Sequence, residues 1–225
     1  MKCIRTGVRL TVVALLVASV VGGAPAIAAA NPGVLPVTTH AHGTGYGELS
    51  ARWWQWALAG SPATNPVADP TGANCAVRQS GSVWFLAGTF GGAVTRTCSV
   101  PSGRALFFPV VNTIWANDPG GGATEQDLRN QLRSDLAGAT AKAEIDGVAV
   151  ADTGNYLVES PPFSLMLDDS NILGAPSGVY EPAVAGGIHL LLAPLSHGDH
   201  LVHFIGCFHS GFCTEATYHL SVTNR

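Results

Sequence analysis

Apolar and polar positions change rhythm along this chain, and each change marks a boundary. Lys2, Arg5 and Arg9 precede a largely apolar run over 10–21, which gives way to small residues up to Ala30. A charged start, a short apolar middle and a small-residue end predict a secretory signal peptide over 1–30. The run is too short for a membrane span, and Gly22, Gly23 and Pro25 prevent its extension as a helix. Cleavage is expected after Ala28 or Ala30, so the exported chain starts near Asn31.

A polar, glycine-rich lead-in over 31–47 contains His40 and His42. Within "ELSARWWQWALAG", Leu49, Trp53, Trp56 and Ala57 recur at helical spacing, and Gly60-Ser61-Pro62 supplies a stop. The lead-in and this helix together form the opening section, 31–60, of a single secreted β-rich domain expected over 31–225. A second helix is predicted in "ATEQDLRNQLRSDLAG": Thr124 caps it, Leu128, Leu132 and Leu136 form one stripe, and Gly138 lies just past its end. Between the helices, proline, asparagine and aspartate make 61–79 a long loop. "SVWFLAG" and "AVTRTCSV" flank "TFGG" as a hairpin would, and Asp146-Gly147 is a hairpin turn signal. Shorter apolar segments come later at "YLVES", "FSLML", "IHLLLA", "HLVHFIGC" and "ATYHLSV". Many short strands, frequent turns and two helices predict a mainly β fold: an antiparallel β-sandwich or jelly-roll with one or two helical additions.

Composition sharpens the setting. Of five cysteines, Cys3 leaves with the leader, and the even remainder of Cys75, Cys98, Cys207 and Cys213 implies two disulfides in an oxidising space. Three pairings are open; the local one, Cys75 with Cys98 and Cys207 with Cys213, is favoured because each pair brackets a turn. Without the leader, basic residues fall to 8 against 15 acids, a formal charge of −7. No basic stripe remains to track phosphates, so nucleic acid is not an expected partner. No later run is long enough for a membrane span. A secreted or periplasmic protein is expected.

Local catalytic signatures are missing: there is no Gly-x-Ser-x-Gly elbow, phosphate-binding glycine loop or His-Glu-x-x-His helix. The densest chemistry is "SHGDHLVHFIGCFHSGFC" over 196–213. Strand alternation sends His200 and His203 to opposite faces, so they do not grip one ion; the segment reads first as scaffold, its histidines polar turn or hydrogen-bonded strand residues, with His197, Asp199 and His200 as the candidate metal-ligating triple. His189, on the expected hairpin partner "IHLLLA", would share a face with His203 in one register. Asp168 and Asp169 shape a turn, with a calcium role as the rival reading. Ser80, in "RQSGS", reads as a turn serine at a strand entrance.

Tryptophans supply a different chemistry. Trp53 and Trp56 lie on the core stripe of the first helix, while Trp54 points elsewhere and is the candidate exposed ligand contact. The combination of "ELSARWWQW", "NCAVRQSGSVWFLAGTFGG" and "LLLAPLSHGDHLVHF" resembles a group of exported bacterial proteins over most of the mature chain. That resemblance implies export and a single domain, and brings no activity with it. The favoured function is a disulfide-stabilised binding protein for a carbohydrate or cell-envelope surface, with no cofactor. The rival is a secreted hydrolase or metalloenzyme built from separated loops around His197, Asp199 and His200.

Overall fold

The computed structural model describes residues 32–41 and 43–224; the expected leader and His42 lie outside them. The chain opens with a small hairpin, β1 (His40–Ala41) and β2 (Thr44–Gly45), then helix α1 (Tyr46–Leu58). After the loop come β3 (Val83–Phe85), β4 (Gly92–Pro101) and β5 (Ala105–Ala116), and then helix α2 (Glu125–Leu136). The rest is strand: β6 (Thr140–Ile145), β7 (Val148–Ala149), β8 (Leu157–Glu159), β9 (Phe163–Leu167), β10 (Gly178–Leu192), β11 (Gly198–Cys207) and β12 (Cys213–Thr223).

These strands build two five-stranded sheets, as a β-sandwich requires. The first runs β3-β5-β10-β8, with β9 also paired to β10; the second runs β4-β12-β11-β6-β7. Most pairs are antiparallel, but β3 with β5 and β4 with β12 are parallel. Alternation along β5 shows how the layers stack. Phe107 faces Tyr46 of α1 at a ring separation of 5.9 Å, while its neighbour Phe108 stacks on Phe204 of the second sheet at 4.8 Å. Strands β5 and β10 are therefore buried on both faces over much of their length, which accounts for their near-continuous apolar sequence. Between the sheets, Gly206 of β11 lies against the Val110 carbonyl and Val111 of β5, leaving no room for a Cβ.

Both predicted helices form. Thr124 and Asp127 complete a reciprocal capping box on α2, whose Leu128, Leu132 and Leu136 pack with Val184 of β10. The local disulfides are present, Cys75–Cys98 and Cys207–Cys213. Asp146 and Gly147 both take positive φ and join β6 to β7 as a hairpin. No helix among the described residues is long and apolar enough to cross a membrane.

Two expected hairpins are corrected. The glycines of "TFGG" do reverse the chain, with positive φ at Gly91 and Gly92, but β3 and β4 enter different sheets. Likewise β10 belongs to the first sheet and β11 to the second, so they are not partners. Turn residues specify a change of direction; they do not specify whether the departing strand pairs with its predecessor or crosses to the facing sheet.

Candidate functional site

The histidine-rich segment is spread over separate surroundings. His200 sits at the start of β11, where Nδ1 lies 2.7 Å from Asp146 Oδ2 and Nε2 lies 3.0 Å from the Ser196 carbonyl and 3.3 Å from Ser196 Oγ. Asp199 Oδ1 instead accepts from Ser221 Oγ at 2.6 Å, and His197 is exposed in the preceding turn. His203 turns to the other face of β11 and meets Glu215 at 2.9 Å, as alternation predicts. The His197, Asp199, His200 triple is thus not drawn together. Among the described residues no group of three His, Cys, Asp or Glu side chains gathers as a metal site.

Ser196, His200 and Asp146 do line up in the order of a hydrolytic triad. The surroundings of His200 favour its charged form. Nδ1 of His200 faces the Asp146 carboxylate, and Nε2 faces both the Ser196 carbonyl and the Ser196 hydroxyl. Burial pulls its pKa down, but the bonds to Asp146 and Ser196 and the fields of Asp146 and Asp199 outweigh it and leave the value raised. The role of His200 is to tie the β6–β7 turn to the segment before β11.

His189 occupies the opposite extreme. It is fully buried, stacks on Phe107 at 5.3 Å, and places Nδ1 3.0 Å from the Gly187 carbonyl and Nε2 3.2 Å from Ser50 Oγ of α1. It faces α1, in a different sheet from His203, so the two do not share a face. At 168–171 the turn reading holds: Asn171 spans it with bonds to the Asp168 and Ala175 carbonyls, and both aspartates are exposed.

Trp54 requires a correction. It is only 9% exposed, set edge-on to Trp53 at 5.2 Å. Segments distant in sequence, 88–90 and the disulfide-closed loop that carries Phe208 and Phe212, line one cavity with it, a juxtaposition that helical periodicity does not reveal. Burial is incomplete in an informative way. Trp54, Val67, Phe90, Asn112, Phe208 and Phe212 are among the walls of a cavity of about 130 Å³. Two of these residues hold donors with no partner among the described residues, Trp54 Nε1 and Asn112 Nδ2. Trp84 Nε1 is a third such donor, but it does not line the cavity.

Phe208 and Phe212 also line a second, wider cavity of about 520 Å³, which adds Ser134, Asp135 and His209. The two spaces adjoin across these phenyl rings. Phe90 and Phe212 are each about half exposed, at 49% and 48%, and Trp115 is 37% exposed with its Nε1 donating to Asp135 Oδ2 at 2.8 Å. Gly91 makes the shelf: a Cβ there would come within 3.0 Å of the Phe212 ring. The result is a cleft with an apolar, donor-bearing recess and an aromatic rim beside polar groups.

Arg96, not singled out from the sequence, holds the recess in shape. It is 1% exposed, and it donates to the carbonyls of Val67, Asp69, Ala87 and Gly88 at 2.7–3.0 Å and to Tyr218 Oη at 3.0 Å. Val67 and Gly88 are themselves cavity walls. A signal was available: on β4 alternation places Arg96 on the same inward face as Cys98 and Val100, where an arginine demands buried acceptors.

No protein-family model, curated protein or solved structure matches this chain.

Proposed function

We propose that this protein is an exported binding protein for a glycan of the cell envelope or its surroundings, and that the cleft beside Trp54 grips an acylated sugar. The observation that carries the reading is a pair of donors without a partner among the described residues, Trp54 Nε1 and Asn112 Nδ2, on residues that line one small apolar cavity. Leaving a buried donor unsatisfied costs about 1–3 kcal/mol, so such a pair is a natural place for a ligand acceptor. One carbonyl oxygen has lone pairs for both donors. An N-acetyl group presents that oxygen together with a methyl suited to the surrounding apolar walls.

The small recess takes the substituent, and the adjoining cavity takes the body of the ligand. Phe90 and Phe212 offer ring faces to the apolar face of a sugar, while Asp135, Ser134 and His209 are within the same open space for its hydroxyls. The two disulfides and the acidic charge fit an extracellular setting.

The test is calorimetric titration with N-acetylglucosamine oligomers and with their de-N-acetylated counterparts. Binding is expected only for the acetylated series. Asn112→Ala and Trp54→Phe should each weaken it by about tenfold, the loss of one buried hydrogen bond. Equal binding of both series, or none to the folded protein, overturns the assignment.

A further inference from the structure

Helix α1 borders a separate cavity along another of its stripes. Leu49, Arg52 and Trp56 form one wall of a space of about 330 Å³, and Arg78, Ser80 and Ser82 form another. The charge at this place is unusual for the chain. Residues 31–225 carry 8 basic against 15 acidic side chains, yet two arginines and no carboxylate line this one cavity. Three other arginines are already committed: Arg96 is buried under backbone carbonyls, and Arg129 and Arg133 are bound to Glu125 and Glu159.

Arg52 and Arg78 keep donors in reserve. Arg52 meets Glu48 through one terminal nitrogen, and both side chains are about half exposed, a pair that solvent screens strongly. Arg78 donates one nitrogen to the Ala59 carbonyl at the end of α1 and has no carboxylate partner among the described residues. The Ser80 and Ser82 hydroxyls make no hydrogen bond to a described residue.

The loop that carries these groups is fastened in place. Arg78 holds a left-handed backbone conformation, φ 55°, which a non-glycine residue adopts only when its surroundings enforce it. Beside it, the Gln79 side chain donates to the Cys75 and Phe85 carbonyls and accepts from the Phe85 amide, all within 2.8–2.9 Å. Trp56 Nε1 donates to the Val77 carbonyl at 2.9 Å, fixing the loop to α1. Guanidinium and hydroxyl donors around a partly open space, on a loop held in place, match the oxygens of a phosphate or carboxylate.

We propose that this cavity is an oxyanion-binding site, in which Arg52, Arg78, Ser80 and Ser82 hold the phosphate or carboxylate group of an acidic ligand. It is independent of the glycan cleft, with which it shares no wall residue.

Isothermal titration with inorganic phosphate and, separately, sodium acetate tests the site, with ionic strength held constant by chloride. Saturable binding of at least one anion is expected; tighter phosphate binding assigns a phosphoryl group, and tighter acetate binding a carboxylate. Arg52→Gln should weaken the preferred anion by about tenfold, the loss of a charge-assisted bond, without moving the thermal midpoint. Because Arg78 also caps α1, the Ser80→Ala, Ser82→Ala double variant tests the second wall, and a severalfold loss is expected. No saturable binding of either anion, or unchanged binding in both variants, overturns the proposal. Glycan titration of Arg52→Gln should be unaltered, which keeps the two sites separable.

Discussion

At the scale of single residues, two histidines record how surroundings override type. Burial drives the His189 pKa down from 6.5 to about 4, against a smaller opposing effect of its bond to the Gly187 carbonyl. Its value is depressed on folding, so its contribution is complete above the unfolded value near 6.5 and lost as pH falls towards about 4. The expected loss is on the order of 3 kcal/mol, read as a fall in urea midpoint across that window and largely removed in His189→Leu. His200 works in the other direction: its raised pKa gives stability that is complete below the ordinary histidine value and is lost as pH climbs through the folded one. Neither behaviour was legible in the sequence, because both residues sit in strand segments of similar composition. Trp54 carries the same lesson, since the helical period placed Trp53 and Trp56 inward but was blind to the distant loops that line one cavity with their neighbour.

At the scale of elements, the two disulfides divide between stability and shape. Cys75–Cys98 fastens the long loop to β4, while Cys207–Cys213 closes the short loop that sets Phe208 and Phe212 beside the recess. Loop-closure entropy assigns about 3 kcal/mol to the first and about 2 kcal/mol to the second. Replacing Cys75 and Cys98 by serine should therefore lower the denaturation midpoint more. Replacing Cys207 and Cys213 should lower glycan binding more, a crossover visible when unfolding and titration are measured on both double variants. The elements themselves were well marked in advance: the leucine stripe and Thr124 cap gave α2, and Asp146-Gly147 gave the β6–β7 turn. Their pairing was not, as β3 and β4 show by parting into different sheets.

At the scale of the whole molecule, Arg96 joins parts that the sequence holds far apart. Through Val67, Asp69, Ala87, Gly88 and Tyr218 it binds the 59–82 loop and the segment after β3 to the inner face of the second sheet. Arg96→Leu would free four carbonyls and a phenol from one buried cation at once. A loss of about 3–5 kcal/mol in unfolding free energy is expected, along with weakened glycan binding, because two recess walls lose their anchor. Unchanged stability in that variant would show that the carbonyls find other partners and that the recess does not depend on this arginine.

What the sequence determined by itself was everything governed by local rules: helix periodicity and caps, strand alternation, turn chemistry, and the even cysteine count that implies two bridges. Tertiary structure alone decided which strands share a sheet, which loops line one cavity with Trp54, and which donors are left without acceptors. Those outcomes depend on residues far apart in sequence, such as Trp54 and Phe212 in the walls of one cavity or Arg96 bonded to Tyr218. Local preference is nearly the same for every arrangement that satisfies the strand pattern, and only the packing of the assembled layers separates them.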